Sequence, residues 1–253
     1  MPQIEKHAPG SFCWIELGTT DQNAAKRFYA SLFGWTVNDF PMGPNEFYSM
    51  FQLDGRDVAA AYTLKPDIPA PPHWMIYIAS ENADATADRA AKAGAQVLAP
   101  PFDVMDVGRM CVVQDPTGAV FAIWQAKSHK GIGIKGDPGS LCWADLNTPD
   151  PARAGKFYSD VFGWKLEPGE SGYLHIRNGE EFIGGIPPAG PPNPQAPPHW
   201  LAYFAVSDCE VSAAKAEQLG AGFYVRPMKM EKIGTFAVLT DPQGAVFALF
   251  TAL

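Results

Sequence analysis

The sequence predicts an α+β fold in which two similar domains follow one another, each built from two βαβββ modules. Two observations support this prediction: the second half of the chain repeats the first, and each half twice repeats the order of a strand, a helix and further strands. The composition agrees, since 24 glycines and 24 prolines favour many short strands and turns over a helical bundle.

The duplication is visible without any gap over 26 residues, because residues 10–35 and 139–164 are identical at 13 of these positions. PPHWMIY at 71–77 returns as PPHWLAY at 197–203. The predicted organisation is a first domain at 8–126, a linker at 127–138 and a second domain at 139–253. The linker is rich in Gly and Lys and lacks apolar periodicity, which predicts an exposed segment.

Each half begins with a short strand that leads into a helix. Asp21 and Asp150 are predicted N-caps, and Pro151 occupies a first helical position. Gly34 and Gly163 are placed where a glycine ends such a helix. The other elements predicted in the first half are strands near 35–40, 47–53, 58–62 and 73–79, a helix over 83–93, and a closing hairpin of 110–113 and 119–124.

Two further segments are assigned to connections. The run DPTG that starts at Asp115 is typical of a type I turn, and DPQG repeats it from Asp241. The proline-rich segment 187–198 is predicted to be a stiff crossover between modules, with a polyproline ligand for another domain as the alternative.

Composition restricts the classes of partner. The formal net charge of −8 argues against nucleic acid. No apolar run approaches the roughly 20 residues of a membrane helix, and the first residues lack the apolar core of a signal peptide. Four cysteines without a CxxC pair indicate a reduced, cytoplasmic protein. The expected partner is a small organic ligand, and the chain is expected to be a monomer or a homodimer.

Three motifs carry a resemblance to a known family: FYxxxFGW at the end of the first helix, HWxxY in the fifth strand, and DPxGAVFA in the closing hairpin. All three recur in the second half. The chain resembles the vicinal oxygen chelate superfamily, also called the glyoxalase/bleomycin resistance/dioxygenase superfamily, and within it the tandem-domain glyoxalase-like or hydroxylase-like branch. The resemblance implies a U-shaped eight-stranded sheet around a cleft, shared by isomerases, dioxygenases and ligand-sequestering resistance proteins.

The resemblance also implies a divalent metal held by His, Gln or Glu side chains. The corresponding positions are occupied by Trp14, Met75 and Ala122 in the first half and by Trp143, Leu201 and Ala248 in the second. An indole N–H and a methyl group offer no lone pair. His73 and His199 lie two residues earlier on the fifth strand, but one imidazole does not make a zinc-type site. No metal and no other cofactor is therefore expected.

Strand alternation directs an acid into each cleft. Glu16 shares a strand face with Trp14, and Asp145 shares one with Trp143. These acids are the predicted catalytic residues, and desolvation should raise their pKa values. The residues predicted to contact a ligand are Trp14, His73, Met75, Tyr77, Trp124, Trp143, His199, Leu201, Tyr203 and Phe250. His175 and Arg109, which replace Met50 and Thr235 of the other half, are weaker candidates for a difference between the clefts.

Purely structural roles stay open for all of these side chains: the tryptophans as core, the acids as paired groups, and the histidines as backbone partners. Three functions remain. The first is a metal-dependent enzyme, either a glyoxalase-like lyase or a dioxygenase-like or hydroxylase-like oxidoreductase, and it would need an atypically bound metal. The second is a protein that binds an aromatic or apolar small molecule, and the third is a metal-free enzyme with Glu16 or Asp145 as general base, for example on a polyketide-like substrate.

Overall fold

The computed structural model describes residues 3–65, 70–188 and 196–253. Within these ranges, each half of the chain forms one eight-stranded mixed sheet accompanied by two α-helices. The strand order is β2-β3-β4-β1-β5-β8-β7-β6 in the first sheet, and the second sheet has the same order with every number raised by eight. The first strands of the two modules therefore lie side by side at the centre, as the predicted duplication of βαβββ modules requires.

The bounds of the elements are similar in the two halves. The first half contains β1 (Phe12–Thr19), α1 (Gln22–Phe33), β2 (Thr36–Gly43), β3 (Glu46–Leu53), β4 (Arg56–Thr63), β5 (His73–Ala79), α2 (Ala83–Lys92), β6 (Gln96–Val104), β7 (Gly108–Gln114) and β8 (Val120–Ala126). The second half contains β9 (Leu141–Asn147), α3 (Pro151–Phe162), β10 (Lys165–Pro168), β11 (Leu174–Asn178), β12 (Glu181–Ile186), β13 (His199–Ala205), α4 (Cys209–Gln218), β14 (Gly222–Met230), β15 (Gly234–Thr240) and β16 (Val246–Ala252). Residues 189–195 of the predicted proline-rich crossover lie outside the described residues.

The helix signals in the sequence work as predicted. The Asp21 side chain accepts a hydrogen bond from the Ala24 N–H, and Asp150 accepts one from the Arg153 N–H, which satisfies a free amide in each first turn. Gly34 ends α1 with φ 75°, a left-handed conformation that glycine adopts without steric cost. These signals define where the two helices begin and end.

One strand of each half, β6 and its counterpart β14, is not among the strands predicted from the sequence. β6 carries Pro100 and Pro101, and its counterpart β14 carries Pro227. Proline cannot donate to a ladder and is therefore confined to edge strands and bulges. β6 and β14 are both edge strands of their sheets, where the missing donor leaves no neighbouring strand unpaired.

The two sheets turn their helix-bearing faces toward each other, and one apolar core runs through both halves. Tyr29 on α1 donates to Asp241, which belongs to the turn DPQG of the second half. Tyr158 on α3 donates to Asp115 in the turn DPTG of the first half. The side chains of Trp35 and Trp164 also donate across this interface, to the carbonyls of Gly139 and Gly10.

The prediction that the linker 127–138 is exposed is wrong for part of this segment. Ile132 and Ile134 are buried, and the Ile132 N–H donates to the carbonyl of Cys13 at 2.8 Å. Gly131 has φ 105°, and a Cβ there would lie 2.1 Å from the Cys13 carbonyl oxygen. Two isolated isoleucines create no periodic pattern in a sequence, so their burial depends on the strand that they happen to cross.

None of the helices in the described ranges is both long and apolar enough to span a membrane.

Candidate functional site

The outer face of each sheet, which points away from the other half, carries the predicted site residues. In the first sheet Trp14 of β1 pairs with Tyr77 of β5, and Tyr77 pairs with Ala122 of β8. We call this face the first cleft, and the matching face around Trp143 and Tyr203 the second cleft. The alternation predicted for the central strands is therefore present in the structure.

A carboxylate cluster occupies the middle of the first cleft. Glu16 Oε2 accepts a hydrogen bond from the Tyr48 hydroxyl at 2.9 Å, and its Oε1 accepts one from the Tyr77 hydroxyl. The Trp14 indole N–H donates to the Tyr48 oxygen at 3.0 Å. Each carboxylate oxygen thus has one protein donor, and Glu16 itself is half-buried.

The second cleft holds the same cluster with a shorter acid. Asp145 Oδ1 accepts from the Tyr173 hydroxyl at 2.6 Å and from the Trp143 indole N–H at 3.0 Å. Its Oδ2 accepts from the Tyr203 hydroxyl at 2.9 Å. Asp145 is only 6% exposed and receives three hydrogen bonds, one more than Glu16.

Tyr48 and Tyr173 are functional candidates that sequence reasoning missed. Both lie in the part of the module where insertions shift the repeat, so a comparison at fixed offset does not align them. The usable signal is that Tyr48 stands two residues before Met50, and Tyr173 two residues before His175. The cluster of acid, two tyrosines and tryptophan is thus duplicated as a whole.

Burial raises the pKa values of the Glu16 and Asp145 carboxyls above their usual range, as predicted for acids that point into a cleft. Hydrogen bonds from the tyrosine hydroxyls act in the opposite direction and favour the carboxylates. Such a group can exchange a proton nearer to neutral pH than an exposed acid can.

The remaining predicted residues surround the two clusters. Met75 pairs with Glu16, and Leu201 pairs with Asp145. The ring of Trp124 lies 6.3 Å from that of Tyr77, and Phe250 is the matching residue of the second sheet.

His73 and His199 begin β5 and β13. The Nδ1 atom of His73 is 2.8 Å from the carbonyl oxygen of Pro71, and that of His199 is 2.9 Å from the carbonyl oxygen of Pro197. The backbone before each strand therefore fixes the orientation of its imidazole.

The two weaker candidates, Arg109 and His175, lie on different faces of their sheets. Arg109 binds both carboxylate oxygens of Asp84, which lies on α2, so its side chain serves an ion pair on the helix-bearing face. His175 instead pairs with Gly185, which pairs with Asp145, so the imidazole belongs to the second cleft.

The donor set at the centre of each cleft does not fit the divalent metal that the resemblance implies. Trp14 and Ala122 provide no ligating atom, and the Tyr77 hydroxyl donates to Glu16. No group of three or more His, Cys, Asp or Glu side chains that could hold a metal ion occurs in the described parts of the chain. Any metal chemistry would need a different set of ligands.

A cavity of about 300 Å³ lies beside Trp124. Its lining combines the N-terminal segment with the strand ends and the linker, and includes His7, Cys13, Ser80, Gln125 and Lys130. Sequence reasoning gave no indication of it, because these residues are brought together only by folding. The lining does not include Glu16 or Tyr77.

Comparisons with known proteins agree with the fold and the duplication. A family model described as "Glyoxalase/Bleomycin resistance protein/Dioxygenase superfamily" matches residues 11–123 and again 140–249. The "Putative glyoxylase CFP32" of Mycobacterium tuberculosis is 41% identical, over 98% of this chain and 97% of that protein. The "Anthracycline biosynthesis protein DnrV" of Streptomyces peucetius is 34% identical, over 97% of this chain and 94% of that protein.

Among solved structures, the Mn(II)-bound glyoxalase from Novosphingobium aromaticivorans superposes with a TM-score of 0.68 at 20% identity, covering 96% of this chain and 82% of that one. At this identity the likeness concerns the fold alone. The double family match and the relatives at 34–41% identity agree with the motifs found in both halves. The chain belongs to the glyoxalase/bleomycin resistance protein/dioxygenase superfamily.

Proposed function

We propose that this chain binds a planar, hydroxylated aromatic molecule in the first cleft, with Glu16 as the hydrogen-bond acceptor for its polar end. The observation that carries the proposal is the half-buried Glu16 carboxyl at the centre of an aromatic sheet face. Tyr48 and Tyr77 donate to it and hold it in one position, yet each oxygen keeps acceptor capacity for a further donor. A ligand hydroxyl is such a donor.

The two edge strands of the first sheet, β2 and β6, supply apolar contact surface on the cleft face. Phe40 of β2 pairs with Tyr48, and Phe102 of β6 pairs with Met110. Both phenylalanines are exposed, although exposed aromatic rings cost free energy in water. Aromatic rings on both edge strands, with Glu16 between them, form a lining that suits a planar ligand with a polar edge.

The relatives are compatible with this class of ligand. One of them is named for anthracycline biosynthesis, and anthracyclines are hydroxylated planar molecules. Loss of the usual metal ligands leaves Glu16 as the strongest polar group within reach of a ligand in this cleft.

The test uses 2,6-dihydroxyanthraquinone as a probe, because its two hydroxyl groups are too far from the ring carbonyls to hydrogen-bond internally, and binding is followed by calorimetry and thermal shift. In Glu16→Gln the acceptor is weakened, and we expect the affinity of this cleft to fall about tenfold or more, the value of a hydrogen bond to a charged group. Glu46→Gln, which changes an exposed acid on β3, is the control and should bind like the parent. Equal binding by both variants, with the parent melting temperature retained, would contradict the proposal.

A catalytic role is the second candidate, favoured by the raised pKa of Glu16. As a general base, Glu16 would remove a proton from a carbon next to a carbonyl group, which NMR detects as deuterium incorporation into carbonyl compounds in D₂O. Incorporation that survives chelation and disappears in Glu16→Gln would identify a metal-free enzyme. Incorporation or turnover that requires added Mn²⁺ would instead identify a glyoxalase-like lyase or a hydroxylase-like enzyme with an atypical metal site.

A further inference from the structure

The two clefts contain matching residues but differ in which of these residues solvent can reach. In the first cleft the acid is the more accessible part, and in the second cleft the aromatic rings are. In the first cleft Trp14, Tyr77 and Trp124 are buried, with exposures of 2%, 3% and 6%. Their counterparts in the second cleft are half-buried: Trp143, Tyr203 and Phe250. The acid and its neighbour show the reverse, since Glu16 and Met75 are half-buried whereas Asp145 and Leu201 are 6% and 3% exposed.

The linker explains the closed end of the first cleft. The His129 ring packs edge-on against Trp14, with ring centroids 4.5 Å apart, and lies 5.9 Å from Trp124. The Trp124 indole N–H donates to the His129 carbonyl at 3.2 Å. A planar ligand could not reach these two indoles without displacing the linker.

The second cleft instead presents aromatic rings at this end. The ring of His175 on β11 lies next to that of Trp143, with the ring centroids 6.4 Å apart. The imidazole of His175 also contacts Tyr173 and the exposed Phe182, at 4.9 and 5.5 Å. Met50, the matching residue of the first cleft, cannot donate a hydrogen bond.

The floor of the second cleft is apolar and separate from the main core. Leu201, Val238 and Ala248 form a hydrophobic cluster of their own, and Tyr203 and Phe236 pack on it. Asp145 is only 6% exposed and already accepts hydrogen bonds from Trp143, Tyr173 and Tyr203, so these side chains cover it and keep a ligand donor away from it. This cleft can therefore stack a ring but offers no accessible carboxylate.

We infer that the second cleft is a separate binding site for a flat aromatic ring without hydroxyl groups, which stacks on Trp143, Tyr203 and Phe250. His175 provides its polar contact and selects a ligand with a hydrogen-bond acceptor, such as a carbonyl or sulfonate. Offset stacking and edge contacts with aromatic rings supply the attraction. The chain thus has two sites of different chemistry, one that uses an acid and one that does not.

The test uses anthraquinone-2-sulfonate, which is flat, carries acceptors and has no hydroxyl donor. Its binding is followed by calorimetry and by quenching of tryptophan fluorescence. Phe250→Ala removes one stacking ring, and we expect about tenfold weaker binding. His175→Met introduces the residue of the first cleft and should weaken binding about fivefold, the loss of one hydrogen bond. Met50→His is the reverse exchange in the other cleft and should leave this probe unaffected.

Glu16→Gln separates this inference from the proposed function. It should leave the affinity for anthraquinone-2-sulfonate unchanged while it reduces binding of the dihydroxy probe. If Phe250→Ala fails to fold, His175→Met decides, because that side chain is half-buried and its exchange creates no cavity in the core. Binding that is unchanged in both His175→Met and Phe250→Ala would overturn the second site without bearing on the first. Binding that is lost in Glu16→Gln would also overturn it, because the probe would then occupy the first cleft.

Discussion

The hydrogen bonds between the two halves allow a sharp prediction about stability. The Tyr29 side chain is fully buried, and its hydroxyl donates to Asp241 Oδ2 at 3.0 Å while it accepts from the Trp74 indole N–H at 3.0 Å. Tyr29→Phe removes this one oxygen. The ring keeps its packing against Trp35, 5.8 Å away, so the change isolates the polar contribution.

The expected loss follows from two terms. A hydrogen bond to a charged acceptor contributes about 1.5–3 kcal/mol, and a buried donor left without a partner costs about 1–3 kcal/mol. Together they predict that Tyr29→Phe lowers the free energy of unfolding by about 2.5–6 kcal/mol. Tyr158→Phe should cost the same, because Tyr158 has matching contacts of 2.9 Å with Asp115 and Trp200.

Urea denaturation of each variant measures this difference from the midpoint and slope of the transition. The control is Tyr224→Phe, which removes a hydroxyl from a residue that is 50% exposed and should change stability by less than about 0.5 kcal/mol. The reasoning is wrong if Tyr29→Phe and Tyr158→Phe lose no more stability than this control.

Two further predictions concern the linker and the buried acids. Ile132→Ala should lower the free energy of unfolding by about 2–5 kcal/mol because Ile132 is buried, whereas Ile233→Ala at an exposed position should be nearly neutral in the same denaturation experiment. Burial raises the pKa of Asp145, so the folded chain holds a proton that the unfolded chain releases. The resulting stability is complete below the unfolded pKa of about 3.9 and is lost as the pH rises through the folded pKa. Asp145→Asn should flatten this decline in urea titrations between pH 4 and 8, and an unchanged slope would contradict the assigned burial.

The sequence by itself determined the features that depend on neighbouring residues. The repeat revealed two equivalent halves, and the capping signals at Asp21 and Gly34 fixed the bounds of a helix within a few residues. Alternation along β1 placed Trp14 and Glu16 on one face. These features could be predicted because backbone conformation and strand parity are set over a few residues.

The contents of the site were only partly predictable. Glu16 and Tyr77 were identified, but their link to Tyr48 depends on the register between β1 and three other strands of the sheet. The edge strand β6 was missed because its prolines argue against a strand unless its place at the sheet edge is known.

Contacts between distant parts of the chain were decided only by the tertiary structure. Asp241 was predicted as a turn residue, and its Oδ1 does bind the backbone of that turn, but its Oδ2 accepts from Tyr29, 212 residues away. His129 lies in a segment predicted to be exposed and yet covers Trp14. Which cleft offers an acid and which offers aromatic rings follows from such packing, because the accessibility of a side chain depends on whatever segment folds over it.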